Sequence, residues 1–207
     1  MGIDTAVTAV VLVVRLYHAF GAGWTDGQAA QAVAQNILER ADIAVRWIDC
    51  RARPDAPAAV PARCEQTLEA NELVLRVIAS GPAVEGAVVA MGYSFVNNVR
   101  PVEGAPLPVL ATVYADRVDR AARAASVDAG LVLGRAMAHE IGHLLLNHPR
   151  HARHGLMRGL WTTAQFRRNR DEEWAFDAGE ARSMRDGLAR RTAPQLAQLA
   201  LPRPKRS

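Results

Sequence analysis

The chain has 207 residues, half of them hydrophobic and 22% charged, with a formal net charge of +4. That length carries a single sizeable domain, or a compact bipartite fold split by a cleft, and the apolar content is enough to fold it. Arginine is spread along the chain with a basic end at residues 202–206, yet no basic patch is interleaved with aromatics and no nucleic-acid motif occurs, so the charge reads as solvated surface and nucleic acid is excluded as a partner.

The apolar run at residues 6–14 is too short to span a membrane. Its length suits a signal-peptide core, but no basic residue precedes it and no small-x-small site follows, so an export signal is absent or lies upstream of this start. Residues 10–20 read as a buried first strand. Thr25 or Asp26 caps a helix through about residue 40, with Ala30, Val33, Ala34, Ile37 and Leu38 on its inner face. Alternation over residues 43–48 gives a second strand, so the opening is strand-helix-strand.

Cys50 and Cys64 bracket a Pro- and Ala-rich loop at residues 51–63. A disulfide across it would stabilise the fold by about 3 kcal/mol through loop closure. It would also favour an extracytoplasmic, secreted setting; free thiols in a reducing compartment are the alternative. Residues 73–78 read as a third strand, ended by Ser80-Gly81-Pro82. A fourth covers residues 88–96, where Gly92 and Asn97-Asn98 suggest an irregular edge. After a turn containing Pro101, Pro106 and Pro108, residues 109–114 make a fifth. Asp128 caps a helix over residues 129–146, although Gly130 and Gly134 weaken its propensity. A last amphipathic helix covers about residues 177–190, and the tail beyond is mobile.

The whole reads as an α/β (α+β) fold with a mixed, twisted sheet of about five strands. Residues 1–147 form a sheet-and-helix region ending in the motif helix, residues 148–192 a small helical region, and residues 193–207 a basic tail.

Five of the six histidines fall between His139 and His154. His139 and His143 stand four apart with Glu140 directly after the first, the pattern H-E-x-x-H. On a helix that spacing puts both imidazoles on one face, one turn apart, so both reach a single metal ion. Glu140 then projects beside the ion and can take a proton from water. The flanks Leu131, Val132, Leu133, Met137, Ile141 and Leu144 to Leu146 describe a largely buried helix, in which unpartnered histidines would be costly.

Catalytic zinc takes three protein ligands and keeps one position for water. Asn147 tolerates the left-handed conformation that ends helices, and Pro149 stops any resumption. His151 lies far enough past that turn for the chain to double back, which makes it the leading third ligand. His148, His154 and the later carboxylates Glu172 and Glu173 are the alternatives.

With Met157 downstream, this constellation resembles the metzincin metallopeptidases, whose H-E-x-x-H-x-x-G-x-x-H supplies three histidines above a methionine turn. The family's glycine position is Leu146 here and its third-histidine position is Pro149. Short bacterial matrixin-like proteins reading H-E-I-G-H-L-L-L-G, then a histidine, then G-[IL]-M are similar over most of the chain; in that register Asn147 falls on the glycine and His151 on the histidine. The resemblance implies a zincin-like fold and a zinc-dependent endopeptidase. In it His139, His143 and His151 hold one Zn2+, Glu140 is general base, and Met157 forms a floor. It also implies that the strand at residues 88–96 borders the cleft and pairs with an extended peptide or protein substrate. Trp161 either walls the specificity pocket or is plain core.

Three other readings stand beside it. A gluzincin-type hydrolase would take Glu172 or Glu173 as third ligand. A non-catalytic binding module would use zinc as a staple, with His148 closing a four-ligand site. An inhibitory partner protein has no specific sign in the sequence.

Overall fold

A computed structural model of the chain describes residues 10–18, 25–51, 61–82, 90–96 and 107–200, with residues 25 and 194–200 as backbone only. The elements in order are β1 (Leu12–His18), α1 (Thr25–Glu39), β2 (Val45–Asp49), β3 (Glu72–Ile78), β4 (Gly92–Ser94), β5 (Leu110–Tyr114), α2 (Ala115–Ala125), α3 (Ala129–Leu146), α4 (Thr163–Arg168) and α5 (Ala178–Ala200), with short 3-10 turns at Ala62–Cys64 and Asp171–Trp174. The five strands form one sheet in the order β2-β1-β3-β5-β4. All neighbours run parallel except the edge strand β4, which is antiparallel to β5. The fold is therefore mixed α/β, as the alternating strand and helix patterns predict.

Register explains the core. Val14 stands opposite Leu73, Leu16 opposite Leu75, Leu75 opposite Ala111 and Val77 opposite Val113. The period of two thus lines up buried rows across three strands, facing one layer of helices. On α1, Ala30, Ala34, Ile37 and Leu38 are buried, as expected, and pack in the same core as Met137, Ile141, Leu144 and Leu145 of α3. Gly130 and Gly134 have a different meaning from the one propensity suggests. A Cβ at Gly134 would lie 2.5 Å from the Ala30 carbonyl oxygen, so its absence lets α1 and α3 touch backbone to backbone.

The opposite face of the sheet carries a buried ion pair. Arg15 and Glu72 are both buried and form an ion pair. Arg15 also donates to the carbonyls of Gln66 (2.6 Å) and Thr67 (3.1 Å), and Glu72 accepts from Arg63 (2.8 Å) and the Glu69 N–H (2.9 Å). A buried pair keeps its place only when such extra bonds satisfy it. Here they fix residues 61–72 against the sheet. Cys50 and Cys64 form the predicted disulfide, with alpha carbons 5.6 Å apart, and Tyr17 donates to the Cys64 carbonyl.

Several elements differ from expectation. The fourth strand is ladder-paired only over Gly92–Ser94, because Val96 N–H turns back to the Ser94 carbonyl; residues 88, 89, 97 and 98 lie outside the described residues. Helices α2 and α4 have no counterpart in the sequence reading. The buried positions of α2 are Arg117, Val118, Ala122 and Ala125, so an arginine occupies its inner face and Val118 is the one large apolar residue there. Helix α5 runs on to Ala200 and takes up the first stretch of the segment read as a mobile tail. Among the described residues, no helix is long and apolar enough to cross a membrane.

Candidate metal centre

The motif helix has the bounds its end signals predict. The Asp128 carboxylate accepts from the Leu131 N–H at 3.0 Å, closing the amino end. Asn147 takes the left-handed conformation (φ 54°, ψ 41°) and releases the chain. From there residues 148–158 fold back under the helix. Gly155 supplies a positive φ of 69°, and Ala152 N–H bonds the Met157 carbonyl at 2.8 Å. This return brings His151 to the histidines of α3.

Nε2 of His143 lies 3.0 Å from Nε2 of His139 and 3.2 Å from Nε2 of His151. One ligand atom from each of the three comes within 4.8 Å of the others. Two imidazoles bound to one tetrahedral ion at about 2.1 Å stand about 3.4 Å apart, so the spacing fits. The proton inventory fits as well. His139 Nδ1 is 2.9 Å from the Leu156 carbonyl and His143 Nδ1 is 2.9 Å from the His148 carbonyl. A carbonyl only accepts, so each Nδ1 carries the hydrogen, and in the neutral ring each Nε2 is a bare lone pair. Two bare lone pairs at 3.0 Å make no hydrogen bond. They face one another as the ligands of a shared cation would, and the three histidines could hold a metal ion.

Burial disfavours protonation of the cluster. Burial, first of all, holds His139 down to about 3 and His143 to about 4, and it also lowers His151. His139 and His143 are buried, whereas His151 is exposed and closes the cluster from the solvent side. Gly159 makes room for it, since a Cβ there would lie 3.1 Å from the His151 ring.

The other candidate ligands stand elsewhere. His148 contributes its carbonyl to His143 while its ring stays out of the cluster. His154 and Glu172 are exposed, and Glu173 pairs with Arg168 at 2.5 Å. None of the four joins the three-histidine group.

Glu140 is buried on the same helix, outside the cluster of nitrogens. Burial raises its carboxyl to about 7, against the opposing pull of a hydrogen bond from Ser94. Such a group can both take and return a proton near neutral pH.

Beneath the helix the Met157 sulfur lies where a Cβ on Gly142 would be only 2.8 Å away, and the Phe176 ring fits the same notch at 2.7 Å. Met157 is buried and sits one residue from the Leu156 carbonyl that orients His139. Trp161 also donates to that carbonyl, at 3.2 Å, and presents its ring edge-on to His139 at 5.3 Å between centroids. It packs in turn on Trp174 and Phe166. Trp161 is thus half-buried, packed with Phe166 and Trp174 and set beside a cluster histidine.

Ser94, Phe176 and the Leu156 and His148 carbonyls are not found from sequence. For Ser94 a weak signal exists: with Gly92 it occupies one side of a strand whose other side carries Tyr93 and Phe95. No protein-family model matches the chain, and no curated protein matches it closely enough to count as a relative.

Proposed function

We propose that the chain is a zinc-dependent endopeptidase, zincin-like in fold and metzincin-like in its site, that hydrolyses peptide bonds in an extended peptide or protein. The observation that carries this reading is the pair of bare imidazole nitrogens of His139 and His143, 3.0 Å apart, with His151 alongside and a buried carboxylate next in the chain. Three nitrogen ligands suit zinc, and three is the number that catalytic zinc sites use. Bound there, zinc supplies a Lewis acid that polarises the scissile carbonyl and lowers the pKa of water toward about 7.

The chain's own residues do the rest. His139 and His143 are kept neutral by burial and oriented by the Leu156 and His148 carbonyls. Glu140 takes the proton of the attacking water and delivers it to the leaving amide nitrogen. Met157 and Phe176 brace the notch at Gly142 and so hold the helix against the return loop. The short edge strand β4, next to Glu140, offers main-chain groups to which an extended substrate can add as a further strand. The Cys50–Cys64 disulfide supports an extracytoplasmic address.

The test joins metal content to activity. The parent protein should carry about one zinc per chain. His139→Ala and His143→Ala should lose it, and His151→Ala should weaken it far more than His148→Ala. Glu140→Ala should keep the zinc and lose chelator-sensitive cleavage of a peptide library. Zinc retention by His151→Ala equal to that of the parent removes His151 from the site. A parent that binds zinc and cleaves nothing is a zinc-stapled binding module instead.

A further inference from the structure

We propose that Ser94 is the positioning residue for Glu140: from the edge strand β4 its hydroxyl holds the carboxylate beside the histidine cluster and keeps it from becoming a fourth ligand. The inference rests on the peptidase reading above and adds to it a residue outside the motif.

The problem it solves is physical. A carboxylate next to a ligand histidine is drawn toward a divalent cation, and carboxylates are ordinary zinc ligands. Once coordinated, Glu140 could neither serve as a base nor leave a position open. Something must hold it back.

Two features of β4 do so. The Ser94 Oγ is 2.6 Å from Glu140 Oε2 and 2.8 Å from the Glu140 backbone carbonyl. Two residues earlier on the same side of the strand, Gly92 leaves space that the carboxylate fills. A Cβ there would stand 2.5 Å from Glu140 Oε1 and 2.8 Å from its carboxyl carbon. The carboxylate is thus laid flat against the strand and pinned at one oxygen. Among the described residues, Ser94 is the side chain that donates to it.

The mount is firm. Ser94 is buried and sits opposite Ala111 in the ladder. The strand is tied to β5 on both sides of it, by Phe95 N–H to Leu110 (3.0 Å) and Tyr114 N–H to Met91 (2.8 Å). The hydroxyl has one proton and two acceptors on one residue. It donates to the carboxylate while that is ionised. When the carboxyl carries the proton taken from water, the Ser94 oxygen accepts from it and the hydroxyl hydrogen turns to the backbone carbonyl. The grip lasts through both halves of the cycle.

The experiment uses the full chain loaded with Co(II) as a visible probe of coordination. Ser94→Ala should shift the ligand-field bands and tighten Co(II) binding by about tenfold as Glu140 swings onto the ion. Adding Glu140→Ala to Ser94→Ala should restore the parent spectrum. Gly92→Ala, which pushes the carboxylate off the strand with Ser94 intact, should reproduce the shift. In cleavage of a quenched-fluorescent peptide library, Ser94→Ala should lower kcat by about a hundredfold with KM unchanged, and Ser94→Thr, which keeps the hydroxyl, should recover most of it. Parent-like spectra in both Ser94→Ala and Gly92→Ala overturn the inference and leave the peptidase reading standing. Failure of the parent to bind Co(II) overturns both. A parent that binds Co(II) but cleaves nothing overturns only the peptidase reading, because the spectra still decide what Ser94 does.

Discussion

Gly134→Ala sets two effects of opposite sign against each other at the seat of the motif helix. Helix propensity alone favours the alanine by about 1 kcal/mol. Packing opposes it. The new Cβ would lie 2.5 Å from the Ala30 carbonyl oxygen, 2.6 Å from Val33 Cβ and 2.8 Å from Val33 Cγ1. Non-bonded carbon contacts rest at about 3.5–4.0 Å, so α1 and α3 must move apart by about 1 Å. The Ala30 oxygen belongs to helix backbone and cannot swing aside as a side chain would. Overpacking costs about 1–3 kcal/mol, and against unyielding backbone the upper part of that range, about 2–3 kcal/mol, applies; less the propensity gain this leaves a net loss of about 1–2 kcal/mol. For a domain of this size that lowers Tm by about 2–8 °C. His139 and His143 lie farther along the same helix, so zinc affinity should fall as well. Thermal melts and a competitive zinc titration of Gly134→Ala read both effects. Gly179→Ala is the control: in the exposed first turn of α5 a Cβ meets only the Asp177 carboxylate, at 3.2 Å, and stability should hold or rise. A Gly134→Ala protein more stable than its parent would refute the packing argument.

Reduction of Cys50–Cys64 should lower Tm by about 6–12 °C, from about 3 kcal/mol of loop-closure stabilisation, with zinc content unchanged; a melt indifferent to reductant would show that the Arg15–Glu72 network alone holds residues 61–72. Acid should destabilise the metal-free protein. Below its ordinary pKa of 6.5 a histidine takes a proton in the unfolded chain, whereas His139 and His143 refuse it in the folded one until about pH 3 and 4; Glu140, raised to about 7, works in the opposite sense above about 4.5. Two groups outweigh one, so stability falls as pH drops from 6.5 toward 4. A urea midpoint for chelated protein that is equal at about pH 6.5 and about pH 5 would contradict this balance.

Much of the centre is local and therefore legible in the sequence. The i, i+4 spacing of His139 and His143 fixes their shared face through helix geometry alone. Asp128 and Asn147 mark the helix ends because capping is an interaction within one turn of chain. Along residues 73–78 burial alternates because the pleat has a period of two. The cysteines predict their own bridge because Cys50 and Cys64 flank a single loop.

What tertiary structure decided is everything that depends on which pieces meet. Helix α2 escapes a sequence reading because Arg117 is turned inward, where it bonds the Ala90 and Pro82 carbonyls; those acceptors lie far away in the chain, so no local pattern marks that arginine as part of the inner face. Gly134 reads as a weak point until the partner backbone of α1 gives its missing side chain a purpose. His151 is one of several candidates in sequence and becomes the third member of the cluster through the turn at Gly155 and the space at Gly159. Ser94 carries no motif at all. It reaches Glu140 because an antiparallel edge strand lies against α3 there, and the carbonyls of Leu156 and His148 that orient the histidines have no side-chain identity for a sequence to display. Local interactions write themselves into the order of residues, whereas a hydrogen bond across the fold exists only once the chain has closed upon itself.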